Sequence, residues 1–260
     1  MRVLFLRLTA LFFCSATICA QAEWQITNSE RELSPNKKVA HWRTTLANSA
    51  TGESATLHRA VFETKAATLR LIDQPSEPRR DLAAVMNASG AIAGVNGGYF
   101  DPDDAPVGLL VSEGRPLAPL RKAKLLSGVL SVTGGRVEIL RTGAFRMSAK
   151  VKNALQCGPM LVDGGTPVAG LNDSRRARRT FAAVDGKGRA VLGVSSALSL
   201  AELAKILALT NSTDGMQTLR ALNLDGGSSS AFWFRGADDF SIPELKMVRD
   251  FVAIVPLPDR

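Results

Sequence analysis

Most of this chain alternates apolar and polar side chains in short runs, and glycine-containing turns separate the runs. Three early runs follow this period of two: 38–47 (KVAHWRTTLA), 56–64 (TLHRAVFET) and 67–74 (ATLRLIDQ). Such alternation is typical of strands with one buried face. Two later segments, 127–140 and 179–195, each hold two runs around a turn, at Thr133-Gly134-Gly135 and at Asp185-Gly186-Lys187-Gly188. Because glycine supplies the positive φ of tight hairpins, the sequence predicts largely antiparallel sheet.

Two helices interrupt this strand pattern. Ser199 and Glu202 form a capping box, and Leu200, Leu203, Ile206 and Leu207 then mark one buried face. A second helix is predicted from about Arg79 to Ser89, where Gly90 is suited to end it. The expected fold is a single α+β domain: a mixed, mainly antiparallel β-sheet with a few helices packed on it.

Residues 1–22 are typical of an export signal. Arg2 and Arg7 precede an apolar run, and the small residues of AQA stand directly before Glu23. We therefore expect a secreted or periplasmic protein whose domain covers residues 23–260, without stable membrane insertion after the signal is removed. An uncleaved membrane anchor is the alternative.

Charge and cysteine content add two constraints. The chain has 32 basic and 24 acidic residues, a formal charge of +8, and loss of Arg2 and Arg7 with the signal leaves 30 − 24 = +6. A basic balance fits an anionic partner such as a phosphate ester or a polyanionic polymer, and it also fits a solvated surface without a role. Cys157 alone remains after the signal, so no intrachain disulfide is expected.

Two short apolar runs end in the same way. One finishes at Asn96-Gly97-Gly98 and the other at Asp225-Gly226-Gly227. A short apolar run indicates a central strand covered on both faces, so the polar groups at its end emerge at the rim of the sheet. Paired glycines let the backbone approach a ligand closely. Each dipeptide is also a common hairpin turn, and the turn interpretation is kept for Asp163-Gly164-Gly165.

Several familiar chemistries fit the sequence poorly. Ser230 stands where the nucleophile elbow G-x-S-x-G needs its last glycine, and His41 and His58 lie on alternating strands typical of structural residues. No zinc-binding or phosphate-loop motif is present. In the basic run 174–184, Arg179 adjoins an apolar strand that can hold it rigidly, whereas Arg175 and Arg176 are expected on the surface.

The two glycine motifs, GVNGGYF and LNLDGGSSS, together resemble the phosphodiester glycosidase family. CGPMLVDGG and RRARRTFAAVD fall between them in the family's usual order, so the resemblance covers roughly Val61 to Val255. The family typically has a third glycine where this chain has Ser228. The resemblance implies hydrolysis of a sugar-1-phosphodiester at the anomeric carbon, which releases the sugar and a phosphomonoester.

That reaction suggests roles for the residues at the two motifs. Asp225 is the expected nucleophile or base, Arg179 neutralises the departing phosphate, and Asn96 is expected to bind sugar hydroxyls or phosphate oxygens. The expected substrate-binding residues are the remaining members of the two motifs: Gly97, Gly98, Tyr99, Asn223, Gly226, Gly227 and Ser228. Tyr99 or its neighbour Phe100 is suited to pack on the sugar ring.

The expected partner is a glycosyl-phosphate small molecule or an envelope glycopolymer. We expect no nucleic acid partner, no cofactor and no metal. Two alternatives remain open at this point: a non-catalytic envelope module that binds a phosphosugar polymer, and an exported phosphodiesterase that acts at phosphorus.

Overall fold

A computed structural model describes residues 24–209 and 215–258. The predicted export signal at residues 1–22 therefore lies outside the described residues. Within the described ranges, no helix is long and apolar enough to cross a membrane.

The described residues form two α-helices and 18 strands. The helices are α1 (Leu82–Ser89) and α2 (Leu200–Leu209). The strands are β1 (Trp24–Leu33), β2 (Val39–Asn48), β3 (Ser54–Glu63), β4 (Ala67–Asp73), β5 (Ala93–Asn96), β6 (Leu110–Ser112), β7 (Arg115–Ala118), β8 (Gly128–Thr133), β9 (Arg136–Arg141), β10 (Val151–Cys157), β11 (Met160–Asp163), β12 (Thr166–Pro167), β13 (Ala177–Val184), β14 (Arg189–Leu198), β15 (Arg220–Asn223), β16 (Phe232–Phe234), β17 (Phe240–Ile242) and β18 (Asp250–Pro256). The predicted α+β class is confirmed.

The strands form three sheets, and every pairing among the described strands is antiparallel. An eight-stranded sheet has the order β1-β2-β3-β14-β13-β15-β11-β12. The two five-stranded sheets have the orders β7-β6-β10-β8-β9 and β17-β16-β5-β18-β4. One face of each sheet contributes to a shared core, which includes Leu192, Leu130 and Val252.

The outer faces of the sheets are covered separately. Helix α2 packs Leu203, Ile206 and Leu207 on the eight-stranded sheet. Helix α1 packs Val85 and Met86 on the sheet that contains β5. Both helices thus stabilise the sheets by burying apolar surface, the main favourable term in folding.

The predicted hairpins form as expected. Strands β8 and β9 pair around Gly134 and Gly135, whose φ angles are 57° and 82°. Strands β13 and β14 pair around the loop 185–188. The turn interpretation of Asp163-Gly164-Gly165 is also confirmed, because β11 and β12 pair directly across it.

The two helices differ in how well the sequence located their starts. The capping box of α2 is present: the Glu202 amide donates to Ser199 Oγ at 3.1 Å, and the Ser199 amide donates to Glu202 Oε2 at 2.8 Å. Helix α1 begins at Leu82 and not near Arg79, because Asp81 is its N-cap and accepts from the Ala84 amide at 2.7 Å. Gly90 ends α1 in the left-handed conformation, as predicted.

His41 and His58 are structural, as expected from their strands. Both are buried, and His41 Nε2 lies 3.1 Å from His58 Nδ1. Their rings pack with Phe232 and Phe240, between the eight-stranded sheet and the sheet that contains β16. Burial lowers the pKa of each histidine to about 4, so both rings are neutral near pH 7. Cys157 is free and buried.

Candidate active site

The two glycine motifs end interior strands of different sheets. β5 lies between β16 and β18, and β15 lies between β13 and β11. Their chain ends nevertheless meet, because the Asp225 amide donates to the Gly97 carbonyl at 3.0 Å. The sequence pattern placed both motifs at sheet rims, and the fold brings these two rims together.

The buried Asn96 side chain stabilises this junction through hydrogen bonds. It is fully buried, and its Nδ2 donates to the Asp225 carbonyl at 2.8 Å. Its Oδ1 accepts from Thr180 Oγ1 at 2.7 Å and from the Ala231 amide at 3.0 Å. The expectation was that Asn96 binds substrate oxygens, whereas in this structure its hydrogen bonds hold the backbone on which the Asp225 carboxyl stands.

Asp250 holds the Asn96-Gly97-Gly98 turn from the other side. Its carbonyl accepts from the Gly97 amide at 2.8 Å, and its Oδ1 accepts from the Gly98 amide at 2.9 Å. A Cβ on Gly97 would lie 1.8 Å from Asp250 Oδ1, so only glycine fits there. Both amides were expected to bind a ligand, but here they are committed to Asp250, which sequence reasoning missed.

The Asp250 carboxyl is in an unusual electrostatic position. The residue is 2% exposed, and its Oδ2 is buried without a hydrogen-bond partner among the described residues. Burial raises the pKa of Asp250 to about 7, with a further upward contribution from the charges of Asp73 and Asp225. Asp250 is therefore a carboxyl group that exchanges its proton near neutral pH.

Asp225 is half-buried at the rim, and its carboxyl is more accessible than that of Asp250. Its Oδ1 accepts from the Gly226 amide at 2.9 Å. Burial raises the pKa of Asp225 above its usual value, while the nearby Ser229 hydroxyl, the Gly226 amide and the positive charge of Lys246 counteract that rise. A partly desolvated carboxylate beside cations is suited to act as a base or a nucleophile.

Arg179 lies beside this loop. Its Nε donates to the Leu198 carbonyl at 2.9 Å, and its Nη2 donates to the Arg175 carbonyl at 2.5 Å. Its Nη1 would be 3.9 Å from a Cβ on Gly226, so the guanidinium borders the turn that carries Asp225. Partial burial lowers the pKa of Arg179, yet arginine remains charged at any physiological pH.

Lys246 is a second cation at the site, and sequence reasoning missed it. It is exposed, its Nζ lies 4.6 Å from the centre of the Phe100 ring, and its charge acts on Asp225. The segment that carries it is attached to the aspartate loop, because the Leu245 amide donates to the Ser228 carbonyl at 2.7 Å. Phe100, which with Tyr99 was one of the two candidates for packing on the sugar ring, contacts this lysine.

Tyr99 and Asn223 form the floor between the two motifs. Asn223 Nδ2 donates to the Tyr99 hydroxyl at 3.0 Å, and that hydroxyl donates to the Gly158 carbonyl at 2.5 Å. Burial raises the pKa of Tyr99, and the negative charge of Asp225 raises it further, so the phenol keeps its proton at neutral pH. Asn223 Oδ1 is buried without a hydrogen-bond partner among the described residues.

The aspartate loop continues as a tight turn. Gly227–Ser229 form one turn of 3₁₀-helix that begins with Gly227 at a φ of 65°. Ser228 is exposed and has an ordinary negative φ, so the turn closes although serine replaces the family's third glycine. Ser229 and Ser230 are buried, with hydroxyls that have no hydrogen-bond partner of good geometry in the described part of the chain.

The outer residues of the basic run lie on the surface. Arg175 and Arg176 are exposed, and Arg176 forms ion pairs with Glu53 and Glu202. In residues 24–209 and 215–258, no group of three or more His, Cys, Asp or Glu side chains is placed to hold a metal ion.

A family model for phosphodiester glycosidase matches residues 89–253, which include both glycine motifs, Arg179, Lys246 and Asp250. The chain belongs to the phosphodiester glycosidase family. The predicted family is therefore confirmed.

Two solved structures have a fold similar to that of this chain. The catalytic domain of zebrafish N-acetylglucosamine-1-phosphodiester alpha-N-acetylglucosaminidase has a similar fold, with a TM-score of 0.64, 14% identity and coverage of 88% of this chain and 87% of that one. A hypothetical protein from Synechocystis has a TM-score of 0.58 at 15% identity, over 84% of this chain and 62% of that one. Identities this low show a shared fold alone.

A closer match in sequence covers less of the chain. The Escherichia coli uncharacterized protein YigE is 35% identical over 92 residues, which are 32% of this chain and 36% of that protein. The chain thus spans about a third of the curated relative it matches.

Proposed function

We propose that this phosphodiester glycosidase hydrolyses a glycosyl phosphodiester at the anomeric carbon. The observation that supports this most directly is the placement of the Asp225 carboxyl, half-buried at a rim where Arg179 borders its loop and Lys246 acts on its charge. One accessible carboxylate beside two cations fits a substrate with an electrophilic carbon and a phosphate leaving group.

In the proposed reaction, water adds to the anomeric carbon and the bond from that carbon to the phosphate oxygen breaks. Asp225 either takes the proton of the attacking water or attacks the carbon itself, in which case water then releases the sugar. The electron pair of the broken bond stays on the phosphate oxygen. The products are a free sugar and a phosphomonoester.

The leaving phosphate gains negative charge as that bond breaks. Arg179 and Lys246 are placed to stabilise this charge, and stabilisation of this kind is commonly worth several kcal/mol in a transition state. Because phosphate is already a good leaving group, the reaction has less need of a dedicated general acid than ordinary glycoside cleavage. Tyr99 supports the floor of the site, because its phenol keeps its proton and donates a hydrogen bond to the Gly158 carbonyl.

For the biological setting, we propose an exported protein that acts on a glycosyl-phosphate small molecule or an envelope glycopolymer. The support is the signal-like composition of residues 1–22 and the basic charge that remains after its removal.

Product analysis tests the activity. The purified protein is incubated with phenyl-phosphate diesters of several sugars in ¹⁸O-labelled water, and free sugar and phenyl phosphate are measured by mass spectrometry. Attack at carbon puts the label in the sugar and leaves the phenyl phosphate unlabelled. Attack at phosphorus puts the label in a phosphomonoester, which is phenyl phosphate if the sugar departs and sugar phosphate if phenol departs. A labelled phosphomonoester of either kind would replace this proposal with a phosphodiesterase.

Variants separate the roles of the charged residues. Asp225→Asn should lower kcat by about 10²–10⁴-fold with an unchanged circular dichroism spectrum, while the exposed control Asp239→Asn keeps full activity. Arg179→Lys keeps the charge but loses the guanidinium fork, so a large loss of activity indicates bidentate phosphate recognition. Saturable binding of the diesters without turnover by wild-type protein would favour the non-catalytic module.

A further inference from the structure

The positive charge of this chain is concentrated in one segment. Residues 114–162 contain nine basic residues and one acidic residue, Glu138, a net charge of +8 that equals the formal charge of the whole chain. The rest of the chain is therefore balanced. This segment forms four strands, β7 to β10, of the five-stranded sheet β7-β6-β10-β8-β9, together with the loops at its ends.

One loop of this segment combines cations with exposed leucines. In the basic loop, Pro119–Leu125 (PLRKAKL), every residue is exposed. Arg121, Lys122 and Lys124 have no carboxylate within ion-pair distance among the described residues. Leu120 and Leu125 are 41% and 53% exposed. A purely electrostatic role for this loop would not require exposed apolar side chains.

An apolar groove of about 330 Å³ adjoins the basic loop. It is lined by Leu109, Pro116, Leu117, Leu120, Phe145 and Met147. Met147, at the edge of the groove, is 47% exposed. Arg115 and Arg146 are also exposed, and each directly adjoins in sequence a residue that lines the groove. Apolar side chains that stand between cations on one surface are typical of a peripheral membrane contact.

The basic loop is rigidly attached at its base and adjoins the candidate active site. Gln156 is 1% exposed, its Oε1 accepts from the Arg121 amide at 3.0 Å, and its Nε2 donates to the Arg121 carbonyl at 2.7 Å. The Leu125 carbonyl would lie 2.0 Å from a Cβ on Gly158, the residue whose carbonyl accepts from Tyr99. A partner that binds the basic loop therefore lies next to the candidate active site.

We propose that the basic loop and the apolar groove dock this protein on an anionic phospholipid surface, with Leu120, Leu125 and Met147 entering the headgroup region. The cations attract the anionic lipid, and the leucines gain from leaving water. A hydrated polyanion satisfies the cations equally well but offers nothing to the exposed leucines, so the lipid surface fits the whole pattern better. The docking is peripheral and requires no spanning segment.

Vesicle sedimentation tests this proposal. The protein should bind vesicles of phosphatidylcholine with 30 mol% phosphatidylglycerol, and binding to pure phosphatidylcholine should be at least tenfold weaker. The triple variant Arg121→Ser, Lys122→Ser, Lys124→Ser should lose about a hundredfold in partition coefficient, because each cation near an anionic surface contributes roughly fivefold. The double variant Leu120→Ser, Leu125→Ser should lose on the order of tenfold, most clearly at high salt.

A matched control removes the same charge elsewhere. Lys65, Lys187 and Lys205 are exposed outside the segment, and their combined change to serine should leave vesicle binding within a factor of about three. An equal loss in this control would overturn the proposal in favour of a diffuse charge effect. Unchanged binding of the leucine variant, with full competition by soluble dextran sulfate, would overturn it in favour of a polyanion site.

The proposal is independent of the catalytic one. Hydrolysis of a soluble phenyl-phosphate diester should be the same in the loop variants and in the wild-type protein, since none of these residues belongs to the candidate active site. Loss of vesicle binding with retained hydrolysis supports the docking surface even if the substrate class is later revised.

Discussion

The Asn96 side-chain amide donates to the Asp225 backbone carbonyl at 2.8 Å, joining two strand ends that are 129 residues apart in the chain. The strands belong to different sheets, so this bond and the one from the Asp225 amide to the Gly97 carbonyl connect the sheets at the site. Two hydrogen bonds to one peptide segment fix the position from which the Asp225 carboxyl projects. Preorganisation of this kind is what a catalytic carboxylate requires.

Removal of the Asn96 amide should therefore reduce activity through geometry. Asn96→Asp keeps an acceptor for Thr180 but places an oxygen against the Asp225 carbonyl. We expect a loss of about 2–4 kcal/mol in the free energy of unfolding, measured in urea, and at least a tenfold loss in kcat/KM. Thr180→Val is the control, since it removes one bond to Asn96 without touching Asp225, and it should keep most activity. Equal effects of both variants would contradict a specific role for the Asn96–Asp225 bond.

The sequence predicted the parts of the site that leave a local pattern. Asn96 and Asp225 were recognised because each follows a short apolar run and precedes two glycines. Asp250 leaves no such pattern, since its role rests on a contact with Gly98 that spans 152 residues. Lys246 was missed for a related reason. A lysine in an exposed loop has the same sequence signature whether or not it faces a carboxylate.

For the fold as well, the elements with a local sequence pattern were predictable, whereas the arrangement of strands into sheets was not. Strand alternation and glycine turns gave the hairpins β8–β9 and β13–β14, and the capping box gave α2. The division into three sheets was not predicted, because strand order depends on pairings such as β5 with β18 that join distant parts of the chain. Helix α1 starts later than predicted because Asp81 is its N-cap.

Gly97 should tolerate no side chain. A Cβ there would lie 1.8 Å from Asp250 Oδ1, so Gly97→Ala must displace either the buried carboxyl or the turn. We expect a loss of about 3 kcal/mol in the free energy of unfolding, together with loss of activity. Gly143→Ala is the control, because no heavy atom lies within 4 Å of its Cβ position, and it should change stability by less than about 0.5 kcal/mol. A stable, active Gly97→Ala variant would show that the turn is not held as described.

Lys246 should set the acidic limb of the pH–rate profile. Its charge lowers the pKa of Asp225, so Lys246→Gln should raise that pKa. If Asp225 must be ionised for catalysis, the acidic limb of kcat/KM should move to higher pH by roughly half a unit to one unit. The exposed control Lys65→Gln should leave the limb in place. An unmoved limb in Lys246→Gln would mean that another group controls it.

Asp250 should make stability depend on pH in the opposite sense to most carboxylates. Its pKa is about 7 in the folded protein and near 3.8 when unfolded, so the native state holds the extra proton between these values. The stabilising contribution of Asp250 is complete below pH 3.8 and decreases as pH rises toward 7. As pH rises through this window, the free energy of unfolding of Asp250→Asn should therefore increase relative to that of the wild-type protein by about 1.4 kcal/mol per pH unit, measured by urea unfolding. Parallel stability curves would show that Asp250 titrates normally.

The buried pair His41 and His58 should destabilise the protein in acid. Each pKa falls to about 4 on folding from its ordinary value of 6.5, because burial and nearby positive charge, including that of Arg43, disfavour the imidazolium. Between pH 6.5 and pH 4 the unfolded state binds more protons, so the stabilising contribution is complete above pH 6.5 and is lost as pH falls. The loss per histidine is about 1.4 kcal/mol per pH unit in that window.

A double variant isolates this effect. In His41→Leu, His58→Leu the buried pair no longer titrates, while Asp250 contributes its opposite slope equally to both proteins. We expect the difference in free energy of unfolding between the two proteins to change by roughly 3 kcal/mol or more from pH 7 to pH 4, in favour of the leucine variant at the lower pH. The measurement is urea unfolding at several pH values. A constant difference would mean that the histidines are protonated equally in the folded and unfolded states, contrary to their burial among Phe232, Phe234 and Phe240.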